Sequence, residues 1–143
     1  MEIFIRSIKE QDAEAVNALS IQLGYAMPIE QTLANIRLVL GTNGHNAFVA
    51  AHEGKIIGWI GVAEALQIES APFCEIRGLI VDETYRGHGI GKLLIDKVKE
   101  WSRGTGNKTL RLRCNMIRTG AHLFYQHLGF KEVKEQKVFE MQV

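Results

Sequence analysis

The chain is poor in the residues that staple or stiffen a fold. It has two prolines and two cysteines in 143 residues. Cys74 and Cys114 belong to no C-x-x-C pair and have no close histidine, which argues against a disulfide framework and against zinc. Both read as small buried hydrophobes in a reducing compartment. No window approaches the ~18 consecutive apolar residues of a membrane span. The N-terminal run MEIFIRSIKEQD is interrupted by charges and lacks an apolar stretch followed by a cleavage site, so it does not read as a signal peptide. A cytoplasmic protein is expected. A charge excess is missing too: seventeen Lys and Arg against sixteen Asp and Glu give a net charge of +1. No overall field favours nucleic acid or an anionic membrane as a partner, so any anion site has to be local.

What remains is an ordinary globular composition, 46% hydrophobic and 23% charged with a mean hydropathy of -0.03. That balance argues against disorder and for one domain over residues 1–143. Five histidines form no H-E-x-x-H, and His122 and His127 cannot share a helical face, so no metal ligands are expected. No G-x-S-x-G elbow is present.

Periodicity divides the chain. Glu2 to Arg6 predicts a strand, and Ser7 with Glu10 has capping-box spacing before the stripe Ala13, Val16, Leu19 and Leu23. Pro28 opens a second helix with Ile29, Leu33, Ile36 and Leu40 on one stripe. Asn46 to Ala51 and Lys55 to Ala63 flank Glu53-Gly54 and predict a hairpin, followed by a strand from Cys74 to Val81. Ile90, Leu93, Leu94, Val98 and Trp101 carry a helix that Gly104 ends. Strands are expected at Thr109 to Cys114, Phe130 to Val133 and Lys137 to Met141, with a helix from Thr119 to Leu128. The predicted class is α/β, a mixed sheet of about seven strands with about four helices, in the order β-α-α-β-β-β-α-β-α-β-β.

Fourteen glycines stand against the two prolines, and three of them cluster. Arg86 to Lys92 reads RGHGIGK and joins a strand to a helix. Glycines there let backbone N–H groups converge, and a helix's first turn leaves its own N–H groups unpaired, so this junction suits a phosphate. Thr84 to Ile95 contains Arg86, His88 and Lys92 and no acid. The P-loop pattern fails, since it needs glycine at Arg86 and a hydroxyl at Leu93; the dinucleotide pattern fails at Lys92 and Leu94.

The spacing R-x-x-G-x-G of Arg86, Gly89 and Gly91, within GLIVDETYRGHGIGKLLI, resembles the cofactor motif of the GNAT superfamily of acetyl-CoA-dependent N-acetyltransferases. AHLFYQHLGF, from Ala121 to Phe130, is similar to that family's later motif, in the same order along the chain. CEIRGLIV, the LRCNMIR run and AHLFY together resemble, less specifically, the branch around aminoalkylphosphonate and aminoglycoside acetyltransferases.

The resemblance implies acetyl transfer from acetyl-CoA to an amine by direct attack in a ternary complex, with a small-molecule acceptor and no metal. It implies Arg86, Gly87, His88, Gly89, Ile90, Gly91 and Lys92 at the pyrophosphate and Leu79, Ile80 and Val81 along the pantetheine, with Asn115 and Phe124 as further cofactor contacts. The Val81 N–H would face the thioester oxygen, Glu75 would relay the amine's proton, and Tyr125 would serve the leaving thiolate. Read from the residues alone, Glu75 is equally a strand glutamate paired with Arg77, and Tyr125 equally a member of the stripe Ala121, Phe124, Tyr125 and Leu128. Gly78 is a candidate bulge that would break the face count between Glu75 and Val81. Many family members carry Asn where this chain has Arg118. The rival readings are a protein or peptide N-acetyltransferase and a CoA-binding module without turnover. The acceptor pocket is expected from Leu23 to Gly44 and from Glu64 to Phe73; Glu64 and Glu69 lean to a cationic acceptor, Arg77 and Arg118 the other way. A monomer or homodimer is expected.

Overall fold

The computed structural model describes residues 1–114 and 116–143. Its strands are β1 Phe4–Ser7, β2 His45–His52, β3 Lys55–Ala65, β4 Phe73–Val81 and β5 Leu110–Leu112; its α-helices are α1 Ala13–Gln22, α2 Ile29–Gly41, α3 Ile90–Gly104 and α4 Thr119–His127. The apolar stripes of α1 and α3 bury against the sheet, α2 buries Ile36 of its stripe, and α4 has no buried residue. Two compact units form, residues 1–113 and 114–143.

The first unit holds one mixed sheet in the order β1-β2-β3-β4-β5, antiparallel except for the parallel pair of β4 and β5. The β2–β3 hairpin turns on Glu53 and Gly54, whose φ of 49° and 78° match the twist of the flanking strands. Sequential antiparallel strands need only such short turns, whereas the parallel step to β5 takes α3 as its crossover. On one face, Ala47 and Val49 pack with Ile8, Ala13, Val16 and Ile36, joined by Leu33, Val39 and Trp59. On the other, Ile90, Leu94, Ile95 and Val98 of α3 are buried, and a Cβ on Gly58 would meet Leu94 and Ile90.

Three expectations are corrected. Among the described residues the sheet has five strands, not about seven: from Phe130 onward no strand forms, and Val133, Val138, Phe139 and Met141 are exposed. A strand exists only as part of a ladder with a face to bury, and KEVKEQK, from Lys131 to Lys137, gives little apolar surface for one. The strand expected from Thr109 to Cys114 shrinks to Leu110–Leu112. Ser7 and Glu10 do not cap the first helix. Asp12 instead closes the 3-10 turn Glu10–Asp12 that leads into α1, accepting from the Lys9 N–H at 2.8 Å and from both terminal nitrogens of Arg6 at 2.8 and 2.9 Å. Burial pushes the Asp12 carboxyl up, but Arg6 and the Lys9 N–H outweigh it and hold the group below the ordinary range.

Candidate active site

The site begins where β4 and β5 part. They pair only from Cys74 to Ile76 against Leu110 to Leu112. Between Ile76 and Gly78 the register against β3 skips Arg77, which is therefore the bulged residue, one position before the glycine that the sequence marks. Gly78 is needed for another reason. A Cβ there would sit 2.7 Å from Trp59 Cη2 and 2.9 Å from Cζ3, so the indole lies flat where only hydrogen fits. The Trp59 Nε1–H is buried without a partner among the described residues.

Beyond the bulge, β4 offers free backbone. The Asp82 N–H bonds to the Ile57 carbonyl at 2.8 Å, and Ile80 stands opposite Trp59 in the ladder. Alternation then turns the N–H and C=O groups of Leu79 and Val81 toward the edge with which no strand of the sheet pairs. Of the three residues expected along the pantetheine, Leu79 and Val81 keep their backbone for a ligand, while the backbone of Ile80 is committed to β3.

The turn after β4 is pinned. The Asp82 carboxylate accepts from the Thr84 N–H and hydroxyl, both at 3.0 Å, and the Glu83 N–H donates to Gln22 at 3.0 Å. The Thr84 backbone bond, chiefly, holds the Asp82 carboxyl below its usual range. Sequence reasoning passed over Asp82, although an Asp two residues before a Thr is the signal of such a turn. The chain then enters Arg86 to Lys92 with Gly87 at φ 83° and Gly89, the N-cap of α3, at φ 75°. Only from Leu93 onward does the helix ladder close, Leu93 N–H to Gly89 carbonyl at 3.1 Å. Among the described residues no N–H from Arg86 to Lys92 has a protein acceptor. This run of donors points from the positive end of a fifteen-residue helix with no acid in its first turn. Lys92 pairs with Asp96 at 2.8 Å, whereas Arg86 and His88 have no ion pair among the described residues. The donor set fits a pyrophosphate.

Glu75 is buried on β4, at 4% exposure. Its Oε1 lies 3.0 Å from Arg77 Nη1, as the residues alone suggest, and its Oε2 lies 3.3 Å from Arg113 Nε. Arg113 follows β5, and nothing local in the sequence announces that second partner.

In the second unit, α4 ends in a Schellman motif: Phe130 N–H bonds to the Tyr125 carbonyl at 3.0 Å and Gly129 N–H to the Gln126 carbonyl at 3.0 Å, with Gly129 at φ 99°. The Phe130 ring packs edge-on against Tyr125, centroids 6.0 Å apart, and Phe124 lies 5.3 Å from Tyr125. The terminal GF of this motif thus seats the tyrosine. Burial pushes the Tyr125 hydroxyl up, Cys114 adds to the shift and Arg118 opposes it. Phe124 itself is 37% exposed, outside the stripe the spacing predicts. Asn115 lies outside the described residues.

The open strand edge and the strand-loop-helix cradle beside it belong to an α/β domain, and their free backbone groups fit a phosphate-bearing ligand with an extended arm. By comparison with known proteins, the chain belongs to the acetyltransferase (GNAT) family, whose family model matches residues 14–130. The chain is 36% identical over 86 residues to N-acetylaspartate synthetase of Xenopus tropicalis, covering 60% of this chain and 31% of that protein. It is 29% identical over 128 residues to the N-acetyltransferase YjgM of Escherichia coli K12, covering 90% of this chain and 74% of that one. Several relatives are much longer, and the chain spans only about a third of the first of them. Among solved structures, the aminoglycoside N-acetyltransferase AAC(6')-Iy in complex with CoA superposes with a TM-score of 0.89, at 23% identity over 99% of this chain and 96% of that one. At that identity the likeness is one of fold. Among the described residues no helix is long and apolar enough to cross a membrane.

Proposed function

We propose that the protein transfers an acetyl group from acetyl-CoA to the amine of a small molecule by direct attack in a ternary complex. The observation that carries this reading is the unpaired N–H run from Arg86 to Lys92, standing beside the open edge at Leu79 and Val81. The cradle takes the pyrophosphate and the edge takes the pantetheine by main-chain hydrogen bonds. The relatives support an amine acceptor, since one is named for making N-acetylaspartate and a structural neighbour for acetylating aminoglycosides.

The physical obstacle is the acceptor's proton. An amine with a lysine-like pKa of about 10.4 costs roughly 4.6 kcal/mol to deprotonate at pH 7. Glu75 accepts that proton, and because its carboxylate is buried and ion-paired, a water carries it. The amine nitrogen then bonds to the thioester carbonyl carbon. The Val81 N–H, or that of Leu79, stabilises the charge growing on the carbonyl oxygen. The C–S bond breaks, and Tyr125 donates a proton to the departing sulfur. A phenol is protonated at neutral pH, as a donor requires, and burial shifts Tyr125 further toward that form. Arg86, His88 and Lys92 add charge to the cradle, and Phe124 and Asn115 complete the cofactor contacts in this reading.

The test is free-thiol release on incubation with acetyl-CoA and a panel of amines. Amine-dependent release supports the reading. Tight acetyl-CoA binding with no release from any small amine, but acetylation of a peptide panel, supports a peptide acceptor; binding without any transfer supports a module without turnover.

A further inference from the structure

One face of the β4–β5 fork carries guanidinium in excess. Glu75 stands opposite Ala63 on β3 and Arg111 on β5, so Glu75, Phe73 and Arg111 share the sheet face over which α1 and α2 pack. The bulged Arg77 joins them, its Cβ 3.9 Å from where a Cβ on Gly61 would lie. Arg113 reaches the same carboxylate from the end of β5. One buried carboxylate therefore steadies two guanidiniums whose side chains are still 56% and 63% exposed. Arg111 stacks on the Phe73 ring at 4.3 Å and has no ion pair among the described residues. Glu64, the acid on β3 that leans toward a cationic acceptor, stands opposite Cys74 and so on the α3 face.

Three guanidiniums against one carboxylate leave positive charge uncompensated where the strands part. A guanidinium has five N–H donors, and the contact to Glu75 leaves the others of Arg77 and Arg113 available to a second oxyanion. Arg77 lies two residues before Leu79, roughly 7 Å along a strand, which is the span of a short bifunctional molecule. We propose that the acceptor amine bears an oxyanion, a carboxylate or phosphonate, that Arg77 and Arg113 bind, so that the substrates are small amino acids or aminophosphonates and not polycations. This rests on the acetyl-transfer reading. Glu75 is then also a positioning residue, holding both forks apart from each other and aimed at one side of the fork.

The experiment compares kcat/KM, with acetyl-CoA fixed, for matched acceptors: β-alanine against propylamine, 2-aminoethylphosphonate against ethylamine, and spermidine as the polycation. The acid-bearing member of at least one pair is expected to exceed its neutral partner tenfold or more, and which pair does so separates carboxylate from phosphonate. Arg77→Gln and Arg113→Gln are each expected to cut that ratio about tenfold, mainly through KM. Arg77→Lys, which keeps charge but loses the fork, is expected to fall between, and it replaces Arg77→Gln if melting shows that variant unfolded. Turnover without preference for the acid-bearing members, or a preference unchanged in both glutamine variants, overturns the anion site and leaves the acetyl-transfer reading standing. No turnover of any acceptor overturns both.

Discussion

Gly89 and Gly106 stand at opposite ends of α3 with the same backbone demand, and substituting each separates strain from ligand binding. Their φ values are 75° and 87°, and a Cβ on either meets no atom within 4 Å. Alanine in this left-handed region costs about 1–2 kcal/mol, and the lost freedom of the unfolded chain returns about 0.4–1 kcal/mol. Each Gly→Ala variant should therefore lose about 1 kcal/mol. For a chain of this length the unfolding entropy is on the order of 0.3 kcal/mol/K, so each melting temperature should fall by roughly 3 °C. Ligand binding should break the symmetry. At a concentration of about 100 times its Kd, a ligand that binds only the folded state adds about 2.7 kcal/mol, or roughly 9 °C here. If the methyl of Gly89→Ala intrudes on the N–H cradle and weakens acetyl-CoA tenfold, about 1.4 kcal/mol is lost and the protection falls to roughly 5 °C. Gly106→Ala should keep the full protection. Thermal melts with and without acetyl-CoA, backed by calorimetric titration, give both numbers. Equal protection of the two variants would refute the cradle at Arg86 to Lys92.

Tyr125→Phe should lower kcat at least tenfold with little change in acetyl-CoA affinity, and steady-state kinetics with an unchanged kcat would remove the phenol from the mechanism. Because burial raises the Tyr125 hydroxyl above its ordinary value of 10.0, its proton stays on through neutral and mildly alkaline pH. The activity it supports should fall only above pH 10, and any stability it contributes is complete below that pH and lost as pH rises through the folded value; a decline near pH 8 that Tyr125→Phe abolishes would contradict this. Gly78→Ala should cost about 1–3 kcal/mol by displacing the Trp59 indole, with denaturant melts as the check, and the cost should largely vanish when Trp59→Phe is added. Arg6→Ala should destabilise by about 1–3 kcal/mol, discounted for the partial exposure of Arg6, because it strands the buried Asp12 carboxylate. Asp12, held below its ordinary value, contributes stability that is present above pH 3.8 and lost as pH falls through its folded value, so the acid limb of a urea-melt pH series should flatten in that variant.

The cradle was legible because everything that builds it is local. Glycines at 87, 89 and 91, the basic run without acids, and a helical stripe starting at Ile90 lie within one short stretch, and the structure adds only that its N–H groups are left open. The helices and the central strands were legible for the same reason, since periodicity is a short-range signal. What depends on a neighbouring strand was not. Arg113 reaches Glu75 only because β5 lies beside β4, the bulge at Arg77 shows only in the register against β3, and the need for glycine at 78 comes from Trp59 on that neighbouring strand. The two strands expected after Phe130 failed for a related reason, since alternation in sequence supplies neither a partner edge nor a buried face. The tyrosine motif was recognisable by resemblance, but its physical logic, a Schellman turn that lays Phe130 against Tyr125, needed the backbone bonds.

Acetyl transfer is tested most directly by quantifying, in one reaction, the free CoA thiol and the acetylated amine by mass spectrometry. Transfer through a ternary complex predicts equal amounts of both, each dependent on the amine and each reduced together by Gly89→Ala and Tyr125→Phe. Thiol released without acetylated amine, or no product from acetyl-CoA with any acceptor, would contradict it.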